Sequence, residues 1–208
     1  AMVDENGRIH ALKVTAKANL GAWLSNFSTF IPTMSGCRTL TTNYDIPATS
    51  LRVVGVMTNT PAVDAYRGAG RPEANYLMER LMDKIADITG KSRITIRKTN
   101  MIKSFQIPYE MPVGGIIDSG DMPTLLDNAL IKADLAGFVK RKKDAILQSR
   151  LRGIGYGMYL EQCGGGTDSG VEIEFLEDGQ ILLYAAQQCN GQGHRTTLTQ
   201  ILSDHLSY

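Results

Sequence analysis

One segment constrains the fold more than any other, because it joins a strand, a glycine-rich loop and a helix in that order. The β-branched run SLRVVGVMTNT, residues 50–60, predicts a strand. The stretch AYRGAGRPEAN, residues 65–75, follows it and places small residues between two arginines. Pro72 stands where a first helical residue belongs, and Gly90 predicts a left-handed cap at the other end. Between them, an apolar stripe at helical spacing comprises Leu77, Leu81, Ile85 and Ile88.

The rest of the first 150 residues is rich in predicted helix. Residues 8–18 predict a strand after an Asn6-Gly7 turn, and residues 94–101 predict a short amphipathic helix. Residues 103–120 form a predicted connector, and Asp121 predicts the N-cap of a further helix. The buried face expected for that helix comprises Leu125, Leu126, Ala129, Leu130 and Ala133. The run KRKKD at 140–144 is typical of a solvated helix face.

From Leu151 onward the pattern favours strands. The glycine-alternating segment at 151–163 predicts a strand, and VEIEFLEDGQILLYAA predicts a hairpin that turns at Asp178-Gly179. The chain then predicts a strand end, a Gly-Gln-Gly loop and a helix. Strands and helices are mixed without regular βαβ repetition, so the predicted class is α+β. The change of pattern places a domain boundary near residue 150, between domains at 1–150 and 151–208.

Composition and charge exclude several classes of function. The net charge is +1, so no basic field suggests nucleic acid as a partner. No apolar run approaches the length of a membrane span. The three cysteines (Cys37, Cys163 and Cys189) form no CxxC pair and the three histidines lie far apart, so no protein-ligated metal site is predicted. The odd cysteine count disfavours a disulfide framework, and a reducing cytoplasm is the expected location.

Three glycine-rich segments invite comparison with a dinucleotide fingerprint, and all three fail. GAGRPE has Glu73 where the third glycine belongs, GIGYGM lies between predicted strands, and GGGTDSG precedes a strand. The fingerprint requires a strand, a glycine turn and a helix N-terminus in that order. No Walker phosphate loop is present either. The sequence therefore argues against a nucleotide-binding domain of these types.

Two loops, RGAG at 67–70 and GQG at 191–193, each lead from a predicted strand into a helix N-terminus. Free backbone N–H groups and the positive end of the helix dipole favour an anion there. Arg67 and Arg71 would add charge at the first loop, and Gln192 an amide at the second. Each loop taken alone is equally explained as a tight turn that packs a helix against a strand. His194 is best explained as a polar residue at a helix start.

Taken together, four ordered motifs resemble the large subunit of the molybdenum hydroxylases, the family of xanthine dehydrogenase, aldehyde oxidase and aerobic carbon monoxide dehydrogenase. The resemblance covers about residues 3–208 and favours the bacterial carbon monoxide dehydrogenase-like group. The motifs are VDAYRGAGRPEANYLMERLMDKIA, IRKTNMI, DSGDMPTLLDNAL and GQGHRTTLTQI.

The resemblance implies two mixed α+β molybdopterin-binding domains that clasp a molybdenum–molybdopterin cytosine dinucleotide cofactor. The cofactor-binding residues that it implies are Arg67, Gly68, Ala69, Gly70, Gly191, Gln192 and Gly193. On a looser match, Glu161, Gln162 and Cys163 would form a wall of the substrate pocket beside Ala69. Iron–sulfur and FAD cofactors are expected in partner subunits, which would accept the electrons.

Two positions depart from the family pattern and bear on the substrate. Carbon monoxide dehydrogenases carry a copper-binding cysteine directly after the arginine, where this sequence has Gly68. Purine hydroxylases carry a stacking aromatic one position later, where this sequence has Ala69. Neither carbon monoxide nor a stacked purine is therefore the expected substrate, and an aldehyde, an N-heterocycle or another small carbon compound stays open.

Two elements of the family pattern are missing from these 208 residues. They are an upstream glycine-rich segment that contains phenylalanine, and the glutamate that acts as general base near the end of the subunit. We therefore expect the chain to be a fragment, with no catalytic residue of its own, no activity in isolation and no tight binding of the cofactor. A non-catalytic assembly or ligand-binding module that kept the fold is the alternative, and an unrelated α+β ligand-binding domain is a third.

Overall fold

The protein is described here by a computed structural model that covers residues 1–161 and 170–207. Helices and three small sheets are mixed along the chain, and the predicted α+β class is confirmed. The strands are β1 Met2–Val3, β2 Ile9–Gly21, β3 Thr49–Met57, β4 Tyr109–Glu110, β5 Ile116–Ile117, β6 Val171–Phe175 and β7 Ile181–Ala185. The helices are α1 Gly36–Arg38, α2 Arg71–Thr89, α3 Arg93–Asn100, α4 Met122–Lys132, α5 Phe138–Leu147 and α6 His194–Leu206. A π-helical turn (Ile31–Ser35) and a 3-10 turn (Ser104–Gln106) complete these elements.

Contacts divide the chain into two units, residues 1–162 and 163–208. The assignment of 1–150 and 151–208 to two molybdopterin-binding domains stays a prediction. In the first unit, β1 pairs antiparallel with β2 around the Asn6-Gly7 turn, and β3 pairs parallel with β2 from Leu12↔Thr49 onward. The parallel pairing requires a crossover, which residues 22–48 supply. The β2–β3 pair thus delivers the chain to the 67–70 loop.

Helix α2 begins at Arg71, one residue before the predicted first position at Pro72, and ends at Thr89, before the predicted cap at Gly90. Gly70 and Gly90 both have left-handed backbone conformations. Its predicted apolar stripe is wrong at two positions, since Leu77 is 37% and Ile88 74% exposed. The buried side chains are instead Ala74, Met78, Met82, Ile85 and Ala86. Two apolar stripes lie side by side on this helix, and the flexible thioethers of the methionines fill the core.

Arg97 of α3 is fully buried between α2 and the segment at 151–161. Its Nε donates to Glu79 Oε2 at 2.8 Å, and its Nη1 donates to Asp83 Oδ1 at 3.0 Å. Burial alone would lower the pKa of Arg97, but the interactions with Glu79, Tyr44 and Asp83 together outweigh it and raise that pKa. This paired cation holds α3 against α2.

Two expectations for the later part of the first unit are wrong in detail. Asp121 does cap α4, because its side chain accepts from the Thr124 N–H at 3.2 Å. Of the predicted buried face, however, Leu126 is buried and Leu130 partly so, while Leu125, Ala129 and Ala133 are exposed. Residues 151–161 form no strand, because their backbone is bound by side chains of α2 and α3 rather than by another strand.

The second unit contains the predicted hairpin and helix. β6 and β7 pair antiparallel from Val171↔Ala185 to Phe175↔Ile181, and Gly179 in the turn has φ +83°. The GQG loop and α6 follow. None of residues 170–207 is buried.

Candidate functional site

The RGAG loop is built from two successive tight turns. The Ala69 N–H donates to the Tyr66 carbonyl at 2.9 Å, and the Arg71 N–H donates to the Gly68 carbonyl at 3.1 Å. Gly68 has φ +93° and Gly70 has φ +87°, a region that favours glycine. The loop therefore needs glycine at both positions to turn the chain into α2.

The base of the loop is packed tightly against the π-helical turn at 31–35. A Cβ atom on Gly70 would lie 2.4 Å from the Ile31 carbonyl oxygen and 2.7 Å from the Gly36 nitrogen. The Ser35 hydroxyl donates to the Ala69 carbonyl. Close backbone packing thus explains Gly70 without a ligand. A Cβ on Gly68 would meet only the Pro72 ring, at 3.0 Å, so Gly68 stays on the outer side of the loop.

The two arginines that flank the loop have different environments. Arg71 is mostly covered, and its Nε lies 2.9 Å from Glu161 Oε1. Its Nη1 also donates to the Gly68 carbonyl at 3.3 Å. Arg71 therefore stabilises the loop, whereas Arg67 lies exposed at the protein surface.

The structure brings one of the predicted pocket residues to this loop. Glu161 reaches Arg71 because the preceding residue, Leu160, is bound to Asn75 of α2. Nothing in the sequence pattern indicated Asn75, although its position one turn after Arg71 places it beside the loop. Gln162 and Cys163, the other predicted wall residues, lie outside the described residues.

The GQG loop of the second unit has a similar local geometry. Gly191 has φ +90° and Gly193 has φ +73°, and the Thr197 N–H donates to the Gly193 carbonyl at 2.9 Å. The Gln192 side chain folds back and accepts from the Asn190 N–H through Oε1. His194 begins α6 and is half-buried.

The Cys189 thiol lies beside the backbone N–H groups of this loop. Those of His194 and Gly191, and more weakly those of Gly193 and Gln192, lower its pKa. Consecutive N–H groups that converge on one point form an anion-binding nest. The sequence predicts an anion at the start of this helix. The prediction did not include Cys189, which lies beside the same N–H groups.

Comparison with known proteins decides the family. A family profile described as a molybdopterin cofactor-binding domain matches residues 1–101, and a second with the same description matches residues 128–208. The chain belongs to the molybdenum hydroxylase large-subunit family. Its two matched regions contain the RGAG loop and the GQG loop respectively. The role of either loop in binding the cofactor stays a prediction.

Individual relatives agree with this assignment. The carbon monoxide dehydrogenase large chain of Hydrogenophaga pseudoflava is 34% identical over 79% of this chain and 22% of the relative. The nicotine 6-hydroxylase large subunit of Paenarthrobacter nicotinovorans is 28% identical over 78% of this chain and 21% of the relative. Quinoline 2-oxidoreductase from Pseudomonas putida 86 superposes with a TM-score of 0.83 at 25% identity, over 97% of this chain and 27% of that one. The 208 residues of this chain thus span about a fifth to a quarter of the length of these relatives.

A cavity of about 300 Å³ lies under the RGAG loop of this family member, between the sheet and α2. Its lining includes Gly36, Cys37, Gly70 and Ala74, together with Val14, Ala16 and Ala18 of β2. Burial raises the pKa of the Cys37 thiol. The sequence signal for this cavity is the alternation of small residues along β2, because small side chains leave space below a helix.

Residues 1–161 and 170–207 contain neither a candidate metal cluster nor a candidate membrane span. No group of three or more His, Cys, Asp or Glu side chains could hold a metal ion in this part of the chain. Among the same residues, no helix is both long enough and apolar enough to cross a membrane.

Proposed function

We propose that this chain is part of the molybdenum-cofactor-binding subunit of a hydroxylase or dehydrogenase that oxidises a small organic substrate with water as the oxygen source. The observation that carries the proposal is the pair of molybdopterin cofactor-binding matches, each of which includes a glycine loop at a helix start. The local geometry fits the cofactor, because the GQG nest already favours negative charge and the cofactor carries phosphate and metal oxygens.

The residues proposed to bind the cofactor have distinct tasks. The backbone N–H groups at Gly191, Gln192 and Gly193 would donate to anionic oxygens, and Gln192 would turn its amide outward to do so. Arg67 would supply a forked cationic donor, and Gly68, Ala69 and Gly70 would let the cofactor approach the backbone. The bound molybdenum–pterin group supplies the two-electron redox chemistry. The general-base glutamate is expected downstream of these residues, so this chain provides binding and positioning.

The substrate class follows from the residues after Arg67. Gly68 offers no sulfur ligand for copper, so carbon monoxide oxidation is disfavoured in spite of the similarity to carbon monoxide dehydrogenases. Ala69 provides no aromatic stacking surface and leaves room for a bulkier molecule. The relatives include a nicotine 6-hydroxylase and an aldehyde oxidoreductase, so an N-heterocycle or an aldehyde is the proposed substrate.

The proposal includes partners and a cellular location. Several relatives are named as large subunits, and one as the gamma subunit of a dehydrogenase complex. We therefore propose an iron–sulfur subunit and an FAD subunit as electron acceptors, a cytosine dinucleotide form of the cofactor, and the cytoplasm as the location. The isolated 208 residues are expected to be inactive and to bind no molybdenum cofactor tightly.

The complete reading frame and its neighbours test the function. We expect a downstream glycine-rich segment with a glutamate, and adjacent genes for a flavin subunit and a two-cluster iron–sulfur subunit. The assembled complex should then reduce an artificial electron acceptor with aldehydes or N-heterocycles as donors. A reading frame without that glutamate, or an assembled complex inactive with both classes, would instead support a non-catalytic assembly module.

A further inference from the structure

Asn75 makes three hydrogen bonds that join the first turn of α2 to a distant part of the chain. Its Nδ2 donates to the Arg71 carbonyl at 2.8 Å and to the Leu160 carbonyl at 3.2 Å. Its Oδ1 accepts from the Leu160 N–H at 3.0 Å. The side-chain amide thus pairs with both polar groups of one backbone residue, as a neighbouring strand would. The bond to Arg71 alone is an ordinary contact within a helix; the two bonds to Leu160 are not.

The segment that Asn75 binds is held at two further points. Arg97 Nη2 donates to the Tyr156 carbonyl at 3.1 Å, and Met158 is buried within the main core cluster. Tyr156, Met158 and Leu160 are covered, whereas Gly157 and Tyr159 between them are exposed. This alternation is typical of an extended backbone, which presents successive residues to opposite sides. The Arg97 contact fixes the beginning of the segment, and the Asn75 contact fixes its end.

The end of the segment carries Glu161 to the RGAG loop. Glu161 Oε1 lies 2.9 Å from Arg71 Nε, and Arg71 Nη1 in turn contacts the Gly68 carbonyl. Glu161 is only partly covered, with 43% of its side chain exposed, so the ion pair by itself is a weak constraint. The backbone contact of Leu160 with Asn75, one residue earlier, fixes the point from which this carboxylate extends.

We propose that Asn75 is a positioning residue that sets the place of Glu161 beside Arg71 and the 67–70 loop. Since Glu161 is a proposed wall residue of the substrate pocket, the functional part of this inference rests on the proposed function. Asn75 acts through the backbone of Leu160 on Glu161. A shift of that backbone would move the carboxylate without removing it.

The first test uses the 208-residue chain and NMR. Asn75→Ala should reduce the exchange protection of the Leu160 amide by about tenfold, the effect of one lost hydrogen bond. It should also shift the Arg71 Nε–H signal in the same direction as Glu161→Gln, and the double variant should show no further shift. The amides of Met82 and Ile85 in the core should keep their protection. Asn128→Ala on the exposed face of α4 is the matched control and should change none of these signals.

A conservative variant separates positioning from packing. Asn75→Asp keeps the size and the acceptor for the Leu160 N–H, but an ionised carboxylate cannot donate to the two carbonyl oxygens. Repulsion between this carboxylate and the carbonyl oxygens of Arg71 and Leu160 should displace the side chain at neutral pH and expose the Leu160 N–H. The Leu160 protection factor should therefore be low at neutral pH and recover in part at acidic pH, where the protonated carboxyl has one O–H to donate. Unchanged Leu160 protection in Asn75→Ala, or an equal loss at core amides, would overturn the proposal.

The second test uses the complete, cofactor-loaded subunit with its partners. Asn75→Ala should raise KM several-fold while kcat and the molybdenum content stay near wild type, as Glu161→Gln should. An unchanged KM in Asn75→Ala, despite lost Leu160 protection, would overturn the link to the substrate pocket. A wild-type subunit without molybdenum would refute the proposed function instead, and the NMR result would still decide whether Asn75 positions Glu161.

Discussion

At the residue scale, Gly70 has two separate reasons to be glycine. Its φ of +87° lies in the left-handed region, and a Cβ there would lie within 3 Å of two backbone atoms. Gly90 shares the first property, with φ +67°, but a Cβ there would meet nothing within 4 Å. The two glycines therefore separate the cost of backbone conformation from the cost of close packing.

Gly70→Ala should destabilise the chain more than Gly90→Ala. The left-handed conformation alone costs alanine about 1 kcal/mol, which is the effect expected at Gly90. Displacement of the Ile31–Gly36 backbone raises the expected loss at Gly70 to about 2–4 kcal/mol. Denaturant unfolding measures both values. Equal losses would show that the 67–70 loop is not packed against the π-helical turn.

The described cysteines should differ in their reactivity with pH. The thiolate is the nucleophile, so the alkylation rate rises through the pKa of each thiol. Backbone N–H groups lower the pKa of Cys189 and burial raises that of Cys37. The midpoint of iodoacetamide labelling should therefore lie below the ordinary thiol value for Cys189 and above it for Cys37. Mass spectrometry of the labelled peptides gives both midpoints, and the reverse order would contradict the nest at 191–194.

At the element scale, the packing of α2 on α3 depends on a buried cation. Removal of Arg97 deprives Glu79 and Asp83 of their buried cationic partner, and such a loss costs about 3–5 kcal/mol. Arg97→Met, which keeps much of the volume, should lower the free energy of unfolding by that amount. Arg93 of the same helix is partly exposed, and its contacts with Asp83 and Asp87 are 3.8 and 4.0 Å long.

Arg93→Met is accordingly the matched control and should cost no more than about 1 kcal/mol. A similar loss in the two variants would mean that the buried network does not hold α3 against α2. The comparison requires the same denaturant and pH, because only the difference between the variants isolates burial.

The ends of the elements could be predicted from the sequence, but the buried faces could not. Glycine, proline and aspartate act locally, so Pro72, Gly90 and Asp121 mark the helix boundaries to within one residue. Leu77 and Met78 are both apolar neighbours on α2, and only contacts with other elements decide that Met78 is buried. The same holds for residues 151–161, where Asn75 and Arg97 replace the strand partner that the pattern suggested.

The candidate site could be predicted only in part, because local sequence determines its glycine loops but not the contacts between distant side chains. The two glycine loops follow from local order along the chain, and the structure shows the left-handed glycines that they need. The different environments of Arg67 and Arg71 depend on Glu161, which is 90 residues from Arg71 in the chain, so no local pattern indicates them.

At the scale of the whole molecule, the two units differ in how much they bury. The first unit has a continuous apolar core, whereas none of residues 170–207 is buried and β6 is exposed along its length. A two-stranded hairpin without a covered face is marginally stable in water. In the isolated chain, hydrogen exchange should therefore be fast throughout β6 and β7 and slow for the core of α2. Equal protection in the two units would show that the second unit folds as stably as the first.

We propose that the RGAG loop and the GQG loop each help to bind a molybdenum–pterin cofactor. The decisive measurement is the molybdenum and cytosine monophosphate content of the complete subunit. The subunit is purified with its partners as wild type, as Arg67→Ala, and as Arg52→Ala, an exposed arginine of β3 that serves as the control. We expect stoichiometric molybdenum and cytosine monophosphate in wild type and in Arg52→Ala, and a clear loss of both in Arg67→Ala. A wild-type subunit that contains neither, or an Arg67→Ala subunit as fully loaded as the control, would contradict this proposal.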